Sequence, residues 1–377
     1  MRGAVRAWFL AALLGLCAVP ALSAATGPAH LVADLGSGTA PWDPYYTSFF
    51  QFFTRLGDRT LFVGFLLAND AQCGLWSTDG TAAGTVRLAD LCAENLSLTD
   101  TYQVRILGVA GPLALLTDSL ARLWRTDGTA AGTFPLGATV SIYNGQPVMG
   151  PGGVLYFVAC SAAGDCQPWR SDGTVAGTRL LLAVENDPGI SASFQFIVQG
   201  GHVVFSGIDT QGAALWATDG TPDGTRELAR FPSQIGYLLA VGDSLYVSAG
   251  SDLWLVSGKG QVVRLGSFLL DWRSPGVYLF QAGGRVLFED DEGDGTVSLW
   301  EISGFQHRVR FIARFRNGMG PVVEACGRLV FAAAKTYGAA SFSLWVLGPE
   351  MSRPRLLRHC PEGCPAVEGN SLQLGVL

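Results

Sequence analysis

A chain of 377 residues that is 49% hydrophobic, 11% aromatic and only 15% charged has ample apolar surface for a core, which excludes intrinsic disorder. Its formal charge of −6 argues against a nucleic-acid partner, because affinity for phosphate comes chiefly from basic surface. At this length two ordinary domains compete with one repeat domain, so internal repeats decide the organisation.

The first 25 residues, MRGAVRAWFLAALLGLCAVPALSAA, combine Arg2 and Arg6 with an apolar run and small residues from Ala21 to Ala25. That is the pattern of a cleavable secretory signal. The run contains Pro20, and no later segment approaches the roughly 20 apolar residues that a membrane helix needs. The expected mature chain, 26–377, carries 23 basic and 31 acidic residues. Export favours disulfides among the seven later cysteines. Cys160 and Cys166 flank SAAGD, which reads as a hairpin tip, and Cys360 and Cys364 enclose PEG. An odd count leaves at least one thiol without a partner in the chain.

From residue 75 the stretches LWSTDGTAAGT, LWRTDGTAAGT, PWRSDGTVAGT and LWATDGTPDGT place Trp76, Trp124, Trp169 and Trp216 in one frame, each followed by Asp79, Asp127, Asp172 or Asp219. Three later copies keep Trp254, Trp300 and Trp345 but lose the Asp-Gly-Thr. Successive tryptophans are 48, 45, 47, 38, 46 and 45 residues apart, the length of a four-stranded propeller blade. A glycine-marked turn running into an apolar strand precedes each of them, as in LGDRTLFVG and GGHVVFS. Each unit thus predicts four antiparallel strands, and seven units predict an all-β, seven-bladed β-propeller in 26–377. Eight partial blades or an open β-solenoid are the alternatives. AHLVADLGSG, from Ala29, resembles a closing strand and is a candidate latch for the ring.

These copies resemble the bacterial ELWxxDGT repeat proteins, with the first Glu replaced by Gly74, Arg122, Gln167 and Ala214. The resemblance spans about residues 29 to 359 and implies an exported propeller-like fold with no common catalytic activity. It supplies no ligand.

In the repeated loop the Asp side chain can accept backbone amides two residues on, the glycine after it can take positive φ, and the Trp can pack between blades. Equivalent carboxylates in equivalent surroundings make poor acid/base pairs, whose pKa values must differ. The acidic run from Glu289 to Thr296 makes Asp290, Asp291 and Asp294 the candidates for Ca²⁺, against a solvated hairpin tip, with no other cofactor expected. No Gly-x-Ser-x-Gly or His-Glu-x-x-His is present, and no catalytic residue is assigned.

Two tryptophans break the frame, Trp42 in APWDPYY and Trp272 in LLDWRSPGVY. With Tyr45, Tyr46, Tyr143 and Arg273 they form the candidate ligand surface, on connections that line one axial face of a propeller. The expected function is an exported, non-catalytic binding or scaffolding propeller of the cell envelope or exterior, with a protein or polysaccharide partner. A carbohydrate-active enzyme using Asp43 with Asp271, and a surface adhesin, are the rivals.

Overall fold

The computed structural model describes residues 49–66, 72–92, 104–141, 145–161, 165–184, 194–257, 260–268, 279–291, 296–304, 306–320, 322–325, 327–334, 343–349 and 351–359. Among them are 28 strands and no α-helix; the one helical piece is a 3-10 turn at Pro151–Gly153. The strands form seven four-stranded antiparallel blades in chain order, the seven-bladed β-propeller architecture.

The residues fall into two compact units, Pro28–Gln234 and Ile235–Leu377. The first holds blade one, β1 (Phe49–Leu56), β2 (Arg59–Leu66), β3 (Gln72–Thr78) and β4 (Val86–Asp90), and blade two, β5 (Arg105–Ala110), β6 (Leu113–Thr117), β7 (Arg122–Thr126) and β8 (Phe134–Thr139). It also holds blade three, β9 (Val148–Met149), β10 (Leu155–Cys160), β11 (Cys166–Ser171) and β12 (Arg179–Leu180), and blade four, β13 (Gln195–Gln199), β14 (His202–Asp209), β15 (Gly212–Thr218) and β16 (Arg226–Phe231).

The second unit holds blade five, β17 (Ile235–Val241), β18 (Ser244–Ala249), β19 (Asp252–Ser257) and β20 (Val262–Ser267). Blade six is β21 (Leu279–Ala282), β22 (Arg285–Asp291), β23 (Thr296–Ser303) and β24 (Arg308–Met319); blade seven is β25 (Val323–Ala325), β26 (Arg328–Ala334), β27 (Ser343–Leu347) and β28 (Arg355–His359). The unusually long β24 pairs at its far end with β26, through Arg316 opposite Ala334 and Met319 opposite Ala333. Blades six and seven are therefore one eight-stranded sheet.

The Leu-Trp dipeptide explains how blades stack. Successive strand residues point to opposite faces, so Leu and Trp fill two different layers. Trp124 packs into the layer between blades one and two, Trp169 into that between two and three, and Trp216 into that between three and four. Trp300 and Trp345 do the same on the near sides of blades six and seven. The leucines face forward: Leu75 lines the layer with blade two, Leu123 that with blade three, and Leu299 that with blade seven.

On its own blade each Trp lies opposite a large apolar residue of the second strand: Phe62, Leu116, Phe157, Phe205, Val247, Phe288 and Phe331 in turn. Phe205 and Trp216 stack with centroids 5.4 Å apart, and aromatic pairs of this kind add about 0.5–1.5 kcal/mol beyond their burial.

A bulge recurs at the same dipeptide. In blades one, four, five, six and seven the ladder to the fourth strand slips between Leu and Trp, with one residue more on the fourth strand. That residue is Leu88, Leu228, Leu265, Ile312 or Leu357, aliphatic every time. A bulge strengthens local twist, which the outermost strand of a strongly twisted blade requires.

Candidate functional site

Antiparallel pairing puts the turns between strands one and two, and between strands three and four, at one end of each blade. The hairpins between strands two and three, and the connections arriving from the preceding blade, share the other end. The two ends differ in chemistry.

At the first end each Asp-Gly-Thr turn closes on itself. In blade one the Thr81 amide and hydroxyl both donate to Asp79 Oδ1, at 2.9 and 2.7 Å. The Gly84 amide donates to Thr81 Oγ1, the Thr85 hydroxyl to the Thr81 carbonyl, and the Gly80 amide to Thr78 Oγ1. The same bonds recur around Asp127, Asp172 and Asp219, with distances that agree to about a tenth of an ångström.

Both glycines of the motif are required. The first sits at φ between 84° and 92° in all four turns, a left-handed conformation that side chains resist. The second lies against the carboxylate: a Cβ on Gly84, Gly132, Gly177 or Gly224 would stand 2.0 or 2.1 Å from an oxygen of its Asp.

The turn also rests on the preceding blade. Arg125 of blade two donates to the Gly173 carbonyl in the blade-three turn at 3.3 Å, and Arg170 of blade three donates to Gly220 in blade four at 3.0 Å. In the second unit, where Asp-Gly-Thr is gone, the contact persists with other chemistry. Tyr246 Oη lies 2.9 Å from His307 Nδ1 in the blade-six turn, and Arg285 donates to the Gly348 carbonyl in the blade-seven turn at 3.1 Å. Glu301, buried, receives both Arg285 and Arg310.

The electrostatics follow. The Thr81, Thr129 and Thr221 hydroxyls and amides hold Asp79, Asp127 and Asp219 below the usual carboxylate range. Burial pushes Asp172 and Glu301 up, but hydrogen bonds from Thr174 to the first, and from Arg285 and Arg310 to the second, leave both lowered. These groups are stable anions at neutral pH; a general acid needs its pKa raised.

At the other end two disulfides tie the strands: Cys73 of β3 to Cys92 just past β4, and Cys160 to Cys166, direct partners across the β10–β11 ladder. Polar chemistry within single blades that no motif announces is here too. Asp118, fully buried, accepts the Leu120 and Arg122 amides, the Arg122 Nε and the Trp124 indole. Gln167, at the first position of the motif, brackets the Val184 backbone by donating to its carbonyl and accepting its amide, both at 2.9 Å. Arg230 clamps Asp209 through two bonds of 2.7 and 2.8 Å and also reaches Glu227.

Of the candidate ligand residues, Trp42, Tyr45, Tyr46, Tyr143, Trp272 and Arg273 lie outside the described residues, as do Asp43, Asp271, Cys360, Cys364 and the segment from Ala29. The acidic run is not a solvated tip throughout: Glu289 and Asp290 lie within β22 and are each only 9% exposed, because the strand continues into the run. Asp291 is the last residue of β22, and Asp294 lies outside the described residues. Among the described residues no group of three His, Cys, Asp or Glu is placed to hold a metal ion. No helix among them is long and apolar enough to cross a membrane.

No protein-family model matches the chain, and no curated protein matches it. Solved structures do. A puromycin-hydrolysing peptidase of Mycobacterium tuberculosis is similar at 14% identity and a TM-score of 0.41, over 83% of this chain and 53% of that one. A prolyl endopeptidase is similar at 11% identity and a TM-score of 0.45, over 83% and 50%. The N-terminal domain of Nup159 is similar at 11% identity and a TM-score of 0.32, over 54% and 58%. The chain thus spans between half and three fifths of the solved chains it matches. The fold assignment rests on the strand pairing, with identities this low adding nothing about activity.

Proposed function

We propose that the protein is an exported, non-catalytic binding or scaffolding propeller of the envelope or exterior, of the ELWxxDGT-repeat kind. It would engage a protein or carbohydrate at the blade end opposite the Asp-Gly-Thr turns. The observation that carries this reading is that the repeated carboxylates are consumed by their own turns, with Asp79, Asp127, Asp172 and Asp219 each bonded to the Thr two residues on. Repetition here serves the scaffold, which leaves recognition to residues that break the repeat. Trp42, Tyr45, Tyr46, Tyr143, Trp272 and Arg273 are those residues, and aromatic side chains with an arginine are the usual anchors of binding surfaces. Two disulfides support an oxidising compartment, in line with a signal at residues 1–25.

The test is affinity capture from the producing cell's envelope and medium, with the parent protein beside a Trp42→Ala/Trp272→Ala variant. A defined protein or polysaccharide retained by the parent and lost by the variant supports the reading. Equal retention by both, or none by either, overturns it.

A further inference from the structure

We propose that the turn end of blades six and seven is a docking surface for an acidic polysaccharide, separate from the aromatic residues assigned above. Between Arg308 and Arg358 there are nine basic residues and two acidic ones, Glu324 and Glu350, in a chain whose formal charge is −6.

The fold brings several of these together. Arg308 and Arg310 lie at the start of β24, Arg328 begins β26, Arg355 begins β28 and Arg353 lies just before it. All of these positions belong to the same end of their blades, and all five residues are exposed. Direct contacts join the two blades there. Arg285 donates to the Gly348 carbonyl, Glu324 accepts the Gly283 amide, and Gly283 lies against Leu329.

The acidic groups at this end are largely occupied. Glu301 is shared by Arg285 and Arg310, Glu324 holds the Gly283 amide, and Glu350 lies outside the described residues. Among the described residues Arg308, Arg328, Arg353 and Arg355 make no ion pair. Some outer-strand arginines of earlier blades are neutralised, Arg87 by Asp90, Arg230 by Asp209 and Glu227, and Arg264 by Asp252, while Arg179 and Arg226, one on each of blades three and four, make no ion pair among the described residues. The described part of the blade-six acidic run, Glu289 to Asp291, lies at the opposite end, where β22 finishes.

Of these guanidinium groups without ion pairs, only Arg308 has a side-chain partner among the described residues, the neutral Gln306. Such a surface fits a polymer of carboxylates, which a planar guanidinium can hold through two parallel hydrogen bonds. An extended polyanion engages all four together, and such binding weakens steeply with salt because exposed charges are screened over about 8 Å at physiological ionic strength.

The experiment is retention of the full chain on immobilised polygalacturonate, with neutral dextran and anionic phospholipid vesicles as parallel arms. The parent should bind polygalacturonate and not dextran, with retention lost as salt is raised. Arg328→Glu/Arg353→Glu/Arg355→Glu should weaken it by about tenfold or more, since exposed charges set electrostatic complementarity. Arg179→Glu/Arg226→Glu, at exposed arginines of blades three and four, should leave it unchanged. The proposal is overturned by equal binding of parent and triple variant, by equal loss in the control variant, by binding to vesicles alone, or by no binding at low salt. It stands or falls apart from the aromatic face, because Trp42 and Trp272 are intact in every variant.

Discussion

In blades one to four the turn between the third and fourth strands carries its own acceptor, an Asp that binds the next threonine twice. In blades six and seven the same turn lacks that Asp and is held instead by the blade before it, through Tyr246 to His307 and Arg285 to Gly348. The difference separates two tasks that Asp-Gly-Thr performs at once, closing a turn and presenting a carbonyl to the neighbour. The second task survives the loss of the motif.

The sharpest way to break this comparison is Arg285→Ala in the second unit. It strips one of two partners from buried Glu301, which keeps Arg310, and the contact from the Gly348 carbonyl; losing both charge-assisted bonds should cost about 3 kcal/mol. Chemical denaturation read by tryptophan fluorescence should show it. Next comes removal of the Cys73–Cys92 bond by Cys73→Ser/Cys92→Ser, a cross-link 19 residues apart that should contribute about 2–4 kcal/mol. Reducing the parent should cost at least as much, because it opens Cys160–Cys166 too.

Gly177→Ala, in the first unit, forces a methyl into the Asp172 carboxylate and should cost about 2 kcal/mol. Gly57→Ala offers the contrast, since nothing lies within 4 Å of the added Cβ and only the φ of 61° opposes it. It should cost about 1 kcal/mol.

Acid should act on both units by one mechanism. Asp79, Asp127, Asp172, Asp219 and Glu301 all have pKa values lowered in the folded state, from ordinary values of 3.8 for Asp and 4.5 for Glu. The unfolded chain therefore binds protons first as pH falls, so their contribution is complete above about pH 5 and is lost progressively below it. Melting temperature should be flat from pH 7 to 5 and fall steeply toward pH 3. A melting temperature that holds at pH 3 would remove these carboxylates from the account.

Much of this fold is legible in the sequence, because its determinants are local. The glycine turns, the two-residue alternation of Leu and Trp, and the period near 45 residues all express short-range rules, and each appears as a strand or turn in the structure. Cys160 and Cys166 read as a hairpin pair because only a tip separates them. Cys73 and Cys92 do not, since their meeting depends on the register between a third strand and a fourth.

The arms from Arg125, Arg170 and Arg285 to the next blade are non-local and leave only a faint trace: Arg stands between Trp and Asp in copies two and three alone. The fusion of blades six and seven depends on β24 running past its bulge to meet β26, a length that no motif announces. For the ligand surface, aromatic residues off the repeat frame are the only signal in the sequence, and they fall outside the described residues.

The central claim is that the repeated Asp is a backbone acceptor within its turn. Its most direct test is the melting temperature of two fourfold variants at Asp79, Asp127, Asp172 and Asp219, all to Asn or all to Ala, each with calcium and with chelator. Asn keeps an oxygen where Oδ1 stands, so the account predicts that the Asn variant retains most of the parent's stability, that the Ala variant melts well below it, and that calcium moves none of the three. A parent stabilised by calcium, with that gain lost equally in the Asn and Ala variants, would contradict it.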